Sequence, residues 1–281
     1  MKLLKIETGN FKLDGGALFG VVPKSLWNKV YPADKNNMCT LSMRCLFIEA
    51  EKRNILIDTG IGRKQTDKFF NYYFLNGTHS LENSLRTIGV KQEDITDVIL
   101  THLHFDHCGG AAGRDIADND ILTFPNAVYW VSHRQWLWAE NPNQREKASF
   151  LKENFEPIVK KGKLQFIYHE GPFINDMDIR FFNGHTDGMI VPFIRYNNRT
   201  LVFMADLIPT SAHIPGSWIC GFDIQPLVSL EERKKFLEEA VDNEYILFFE
   251  HDLYTECCSL KITEKGIRMD QSFTLNEILS K

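Results

Sequence analysis

The chain lacks any apolar run near the ~20 residues that a membrane helix requires. Its N-terminus, Met1-Lys2-Leu3-Leu4-Lys5-Ile6-Glu7, turns polar too soon for a secretory signal. A soluble, cytoplasmic protein with no membrane partner is expected. A basic excess is missing too: 32 Lys and Arg stand against 37 Asp and Glu, for a net charge of −5. Nucleic-acid binding relies on a cationic face, so a small-molecule partner is expected and nucleic acid is not. The six cysteines show no disulfide framework, and a chain of 281 residues needs no such staple. No Gly-x-Ser-x-Gly elbow is present to offer a serine nucleophile. Repeats, low-complexity tracts and linkers are also absent, so one domain over residues 1–281 is expected.

What the chain does have is Thr101-His102-Leu103-His104-Phe105-Asp106-His107-Cys108-Gly109-Gly110, placed just after the apolar run Val98-Ile99-Leu100. Three histidines and an aspartate fall within six residues there. On an extended stretch, His102 and His104 face the same way, and a buried strand that stops in a cluster of ligands fixes them rigidly. Imidazole nitrogen combined with carboxylate oxygen suits zinc, and also iron or manganese.

His102-Leu-His104-Phe-Asp106-His107 resembles the HxHxDH signature of the metallo-β-lactamase superfamily. Gly184-His185-Thr186 is similar to that family's GHT motif. Asp206 ends the strand-like run Leu201–Ala205, and His251 ends Ile246–Glu250. Asp58-Thr59-Gly60 follows Asn54–Ile57, as the family's early Asp-Thr-Gly turn does.

The resemblance implies a four-layer αββα sandwich; pattern alone gives only mixed α and β. It also implies two divalent ions, zinc first, with iron, manganese or cobalt as alternatives. By the same resemblance His102, His104 and His185 hold one ion, Asp106, His107 and His251 the other, and Asp206 bridges them. Asp58 would hydrogen-bond a ligand histidine and fix its tautomer. Two such ions lower the pKa of bound water, so that hydroxide attacks a carbonyl or phosphoryl centre near neutral pH. Asp106 would orient that water or carry its proton.

The set resembles lactonases, thioester hydrolases of the glyoxalase II type and organophosphate hydrolases. Pro209 stands where quorum-quenching lactonases usually carry a tyrosine, and His213 is a candidate to replace it as hydrogen-bond donor or leaving-group acid. Phe19, Phe69 and Trp218 are candidate pocket walls, and an apolar ester or lactone is the expected substrate. Iron-dependent sulfur or dioxygen oxidation is the alternative of another class. Pocket-shaping inserts are expected near 64–79 and 132–162. The aromatic run Phe69–Leu75 is expected to be a lid or a homodimer contact.

Local patterns add a strand–turn–strand over residues 1–22, turning at Asp14-Gly15-Gly16. A helix runs from Ser80 to Gly89, and Gly109-Gly110 lets the backbone pass close to the ligands and starts another. Capping boxes occur at Ser132/Gln135 and Ser229/Glu232.

Overall fold

The computed structural model describes residues 1–280. Internal contacts group the chain into two compact units: Met1–Asn10 with Met43–His169, and Phe11–Ser42 with the chain from Glu170 onward. No helix among the described residues is long and apolar enough to cross a membrane.

β1 (Lys2–Asp14), β2 (Met38–Ala50), β3 (Arg53–Ile57) and β4 (Asp97–Ile99) are followed by a ribbon of β5 (Ala112–Arg114) and β6 (Asp120–Leu122). Then come β7 (Val128–Ser132) and β8 (Leu164–Ile167), and the six-stranded sheet has the order β1-β2-β3-β4-β7-β8. β2 and β3 form an antiparallel hairpin, and Glu51 and Lys52 both take positive φ at its turn. That geometry matches the right-handed twist of the flanking strands. β3, β4, β7 and β8 then pair in parallel. Strands buried on both faces read as unbroken apolar runs, as Val98-Ile99-Leu100 does. Val98 and Leu100 pack with Ile6, Leu81, Phe124, Tyr129, Phe155 and Ile158 in the core of the first unit. Each such side chain contributes roughly 1.5–3 kcal/mol by leaving water.

The second sheet comprises β9 (Gly171–Ile174), β10 (Met177–Phe182), β11 (Met189–Tyr196), β12 (Arg199–Phe203), β13 (Ile246–Phe248), β14 (Cys257–Thr263) and β15 (Gly266–Phe273). Its order is β15-β14-β13-β12-β11-β10-β9. β10 and β12 are both antiparallel to β11, and β13 is parallel to β12. β10, β12 and β13 therefore finish at one edge of the sheet.

Helices α1 (Gly15–Phe19), α2 (Lys24–Trp27), α3 (Asp67–Tyr73), α4 (Leu81–Thr87), α5 (Phe105–Cys108), α6 (His133–Glu140), α7 (Lys152–Lys160), α8 (Pro226–Asp242) and α9 (Leu275–Leu279) complete the regular structure. Several depart from expectation. Asp14 does not turn a hairpin: its carboxylate accepts from Ala17 N and caps α1. Residues 67–73 are helical, with the Thr66 hydroxyl as the cap. Gly109-Gly110 opens a single 3-10 turn and the β5–β6 ribbon in place of a longer helix. α8 begins at Pro226, three residues before Ser229, because Pro is suited to the first helical position. Glu232 caps nothing in α8; its carboxylate accepts from the backbone of Asn183 and Gly184.

Gly62 sits at φ +69, and a Cβ there would lie 2.3 Å from the Gly109 carbonyl oxygen. Gly89 has a similar φ of +77 with nothing within 4 Å. Gly62→Ala should therefore cost about 2 kcal/mol or more, against ~1 kcal/mol for Gly89→Ala. Thermal unfolding checks this: the Gly62 variant melts several degrees lower than the Gly89 variant, and equal melting temperatures contradict the close approach.

Candidate metal centre

In the first unit, the β3–β4 register pairs Ile57 with Ile99, so both strands release their chains at one level. Asp58 N donates to Ile99 O at 2.9 Å, and Asp58 adopts φ 59. This left-handed turn lets the carboxylate reach the segment beyond β4. Asp58 accepts from Thr101 N (2.8 Å), from the Thr101 hydroxyl (2.6 Å) and from His107 Nδ1 (3.1 Å). Since the Thr101 hydroxyl donates to Asp58, its oxygen accepts from His102 Nδ1 at 3.1 Å. Both rings are thereby held as Nδ1–H tautomers, an assignment that follows from their partners.

His104 is held the other way round. Its Nε2 donates to Glu146 Oε1 at 2.9 Å, which leaves Nδ1 as the lone-pair nitrogen. The His102 ring lies 3.9 Å from that of His107 and 4.5 Å from that of His104, centroid to centroid. Asp106 Oδ2 stands 3.9 Å from His107 Nε2. All four side chains are buried. Cys108 is packed away: its thiol donates to Leu103 O at 3.3 Å, and burial pushes its pKa up to about 12.

The second unit brings together His185, Asp206 and His251. β12 pairs Phe203 with Phe248 of β13, so Asp206 and His251 each lie three residues past a paired position. His185 occupies the turn between β10 and β11 at the same edge. Asp206 directs Oδ2 toward His185 Nε2 (3.1 Å) and Oδ1 toward His251 Nε2 (3.2 Å). Behind them, His185 Nδ1 donates to Asp223 Oδ1 at 3.0 Å, and His251 Nδ1 donates to the Ser42 carbonyl at 2.8 Å. With those protons committed, neutral rings would turn lone pairs on a carboxylate. A shared proton or a cation relieves that opposition. Burial lowers the His185 pKa, but Asp206 and Asp223 outweigh it and raise the value to about 10. The donor set of imidazoles and carboxylates, with fixed tautomers, fits a divalent transition-metal ion.

The metallo-β-lactamase superfamily model matches residues 44–251. The chain belongs to that superfamily. An N-acyl homoserine lactonase of Bacillus cereus is 25% identical over 232 residues, covering 78% of this chain and 85% of the relative. A probable metal-dependent hydrolase from Staphylococcus aureus superposes with a TM-score of 0.87 at 27% identity, covering 97% of this chain and 96% of the other. A dizinc quorum-quenching lactonase with bound product superposes at 0.79 and 23% identity, covering 97% and 95%; at that identity the likeness is one of fold. The mixed α/β metallo-β-lactamase fold expected from the motifs is the one observed.

Against this superfamily background, the residues beyond the ligand motifs fall as follows. Phe69 is half-buried and meets Phe105 edge-on, with centroids 5.3 Å apart, while Tyr72, Phe74 and Leu75 stay exposed. Trp218 lines a cavity of about 730 Å³ within the second unit, beside Tyr31, Ile214, Tyr254 and Met269. Phe19 is fully buried between Trp27 and His213, stacked on both. That is a core position, not an open wall. His213, expected as a hydrogen-bond donor or leaving-group acid, is also fully buried. Its Nδ1 pairs with the Thr210 hydroxyl (2.8 Å) and its Nε2 donates to Leu18 O (3.2 Å). Both nitrogens are thus engaged by the second unit itself. Asp223 and Glu146, which anchor two of the histidines, have no motif around them; only their companions in space reveal them.

Burial and the Arg233 guanidinium lower the His213 pKa to about 3. The unfolded histidine titrates near 6.5. Between these values the unfolded chain binds more protons, so stability falls as pH drops through that window. From pH 7 to pH 5 this amounts to about 2 kcal/mol. Urea unfolding should show the wild type losing about that much more than His213→Gln over this interval; parallel losses contradict a neutral buried ring.

Proposed function

We propose that the two ligand sets act together on a pair of divalent cations. His102, His104 and His185 hold one, Asp106, His107 and His251 hold the other, and Asp206 is shared. The protein is then a metal-dependent hydrolase that opens a lactone or cleaves a carboxylic ester of apolar character. The observation that carries this reading is Asp206, whose two oxygens face two different buried histidines. The span of the family match supports it, because residues 44–251 enclose all seven side chains. The lactonase activity named for the Bacillus relative supports the substrate class. Zinc is the cation that five imidazoles and two carboxylates suit first, in keeping with the dizinc neighbour.

A bound pair of cations supplies Lewis acidity and makes water acidic enough to attack near neutral pH. The chain's own groups do the rest. Asp106 has a carboxylate beside His107 with which to orient the attacking water and accept its proton. Asp58, Asp223 and Glu146 hold three rings in the tautomers that present lone pairs inward. Phe69 and Trp218 are assigned to an apolar substrate's surroundings. His213 is assigned a positioning role: with Phe19 it braces the loop between Asp206 and α8.

Asp206→Ala should release at least one of two metal ions per chain and lower kcat/KM on a lactone by about 10³-fold or more. Elemental analysis and turnover on matched panels of lactones, aryl esters, thioesters and phosphotriesters check this. Full metal content with near-normal turnover would overturn the shared carboxylate, and preference for a phosphotriester would overturn the substrate class.

A further inference from the structure

His104 is gripped by a stretch that carries no ligand motif. Glu146 lies between α6 and α7, inside the insert at 132–162, and its side chain is 1% exposed. One oxygen, Oε1, accepts from His104 Nε2 at 2.9 Å. The other, Oε2, accepts from Trp138 Nε1 at 2.6 Å and from Asn143 Nδ2 at 3.1 Å. Asn143 also turns its carbonyl oxygen onto the backbone N–H of Glu146 at 3.0 Å, which fixes where the carboxylate starts. Phe150, from the same insert, packs on the His104 ring with centroids 4.9 Å apart. The insert therefore holds this histidine both by its far nitrogen and by its face.

A buried carboxylate is costly unless donors surround it. Here three donors come from side chains, and one of them is the imidazole. The arrangement does more than satisfy the carboxylate. An imidazole that gives its Nε2 proton to Glu146 has its remaining lone pair on Nδ1. Without Glu146, the Nε2 proton would lose its buried carboxylate acceptor and the tautomer would no longer be set from that side. His102, His107, His185 and His251 are held through Nδ1, and among these five histidines His104 is the one held through Nε2.

We propose that Glu146 is a positioning residue for metal binding. It selects Nδ1 of His104 as the ligand atom, raises that atom's basicity, and ties metal affinity to the 132–162 insert through Trp138 and Asn143. The inference rests on the metal centre proposed above. Partners of ligand histidines commonly govern metal affinity by 10–100-fold.

The test uses the full chain loaded with zinc or cobalt and a chromophoric chelator as competitor. Glu146→Gln keeps an oxygen for His104 but turns an amide N–H₂ toward the Trp138 and Asn143 donors. Affinity at the ion assigned to His102, His104 and His185 should fall by about 10-fold or more, the cobalt visible spectrum should change, and the melting temperature of the metal-free chain should move little. Trp138→Phe leaves the carboxylate on His104 and should cost less, about severalfold. It also carries the test should Glu146→Gln fail to fold. Unchanged affinity and spectrum in both variants would overturn the role. So would an affinity loss fully accounted for by a lower metal-free melting temperature. Wild-type chain with no tight divalent ion would overturn the metal centre as well; two ions in the wild type with unaltered variants would overturn Glu146 alone.

Discussion

A neutral imidazole has one lone pair, and the site depends on where the ring's proton is held. Each of the five histidines in the two proposed ligand sets commits one nitrogen to a fixed acceptor. The acceptors are the Thr101 hydroxyl, Glu146, Asp58, Asp223 and the Ser42 carbonyl. A flexible surface histidine samples both tautomers and many rotamers. A buried ring anchored in this way has one orientation, so the ordering cost of metal binding is met when the chain folds. Removing these acceptors would leave the five rings in place but not their aim.

Sheet register supplies the second constraint. Asp206 and His251 come level because Phe203 and Phe248 are paired neighbours in parallel strands. Asp58 comes level with the HxHxDH segment because Ile57 pairs with Ile99. In both units the chain bends sharply as it leaves the sheet. Asp58 at φ 59 and Ala205 at φ 43 take left-handed conformations that non-glycine residues avoid. Such positions cost roughly 1–3 kcal/mol each and persist only where the surroundings enforce them. Here they turn a carboxylate toward its histidine partners just past a rigid strand. The thread from sequence to chemistry runs through apolar strands that bury, end at a common edge and bend.

The parts legible in the sequence were those with short-range signatures. Apolar runs ending in His, Asp or Gly marked β3, β4, β12 and β13, and the spacing of His102, His104, Asp106 and His107 marked the cluster. Family resemblance singles out Asp58, and its carboxylate accepts from His107 Nδ1. What stayed hidden depends on distant partners. Glu146 lies in polar sequence with no motif beside it, and only the fold brings Trp138 and His104 to its carboxylate. Asp223 is 38 residues from His185. Asp14-Gly15-Gly16 has ideal hairpin chemistry, but Asp14 serves as a helix cap. His213 looked available in a long loop, and burial against Phe19 engaged both its nitrogens. Local propensity could not foresee any of these, because tertiary packing decides them.

The proposed function turns on two cations that share Asp206. Anomalous diffraction at the zinc edge, on crystals of the metal-loaded chain, tests it most directly. The account predicts two peaks flanking the Asp206 carboxylate, one touching His102, His104 and His185, the other Asp106, His107 and His251. A single peak, or no peak beside Asp206, would contradict it.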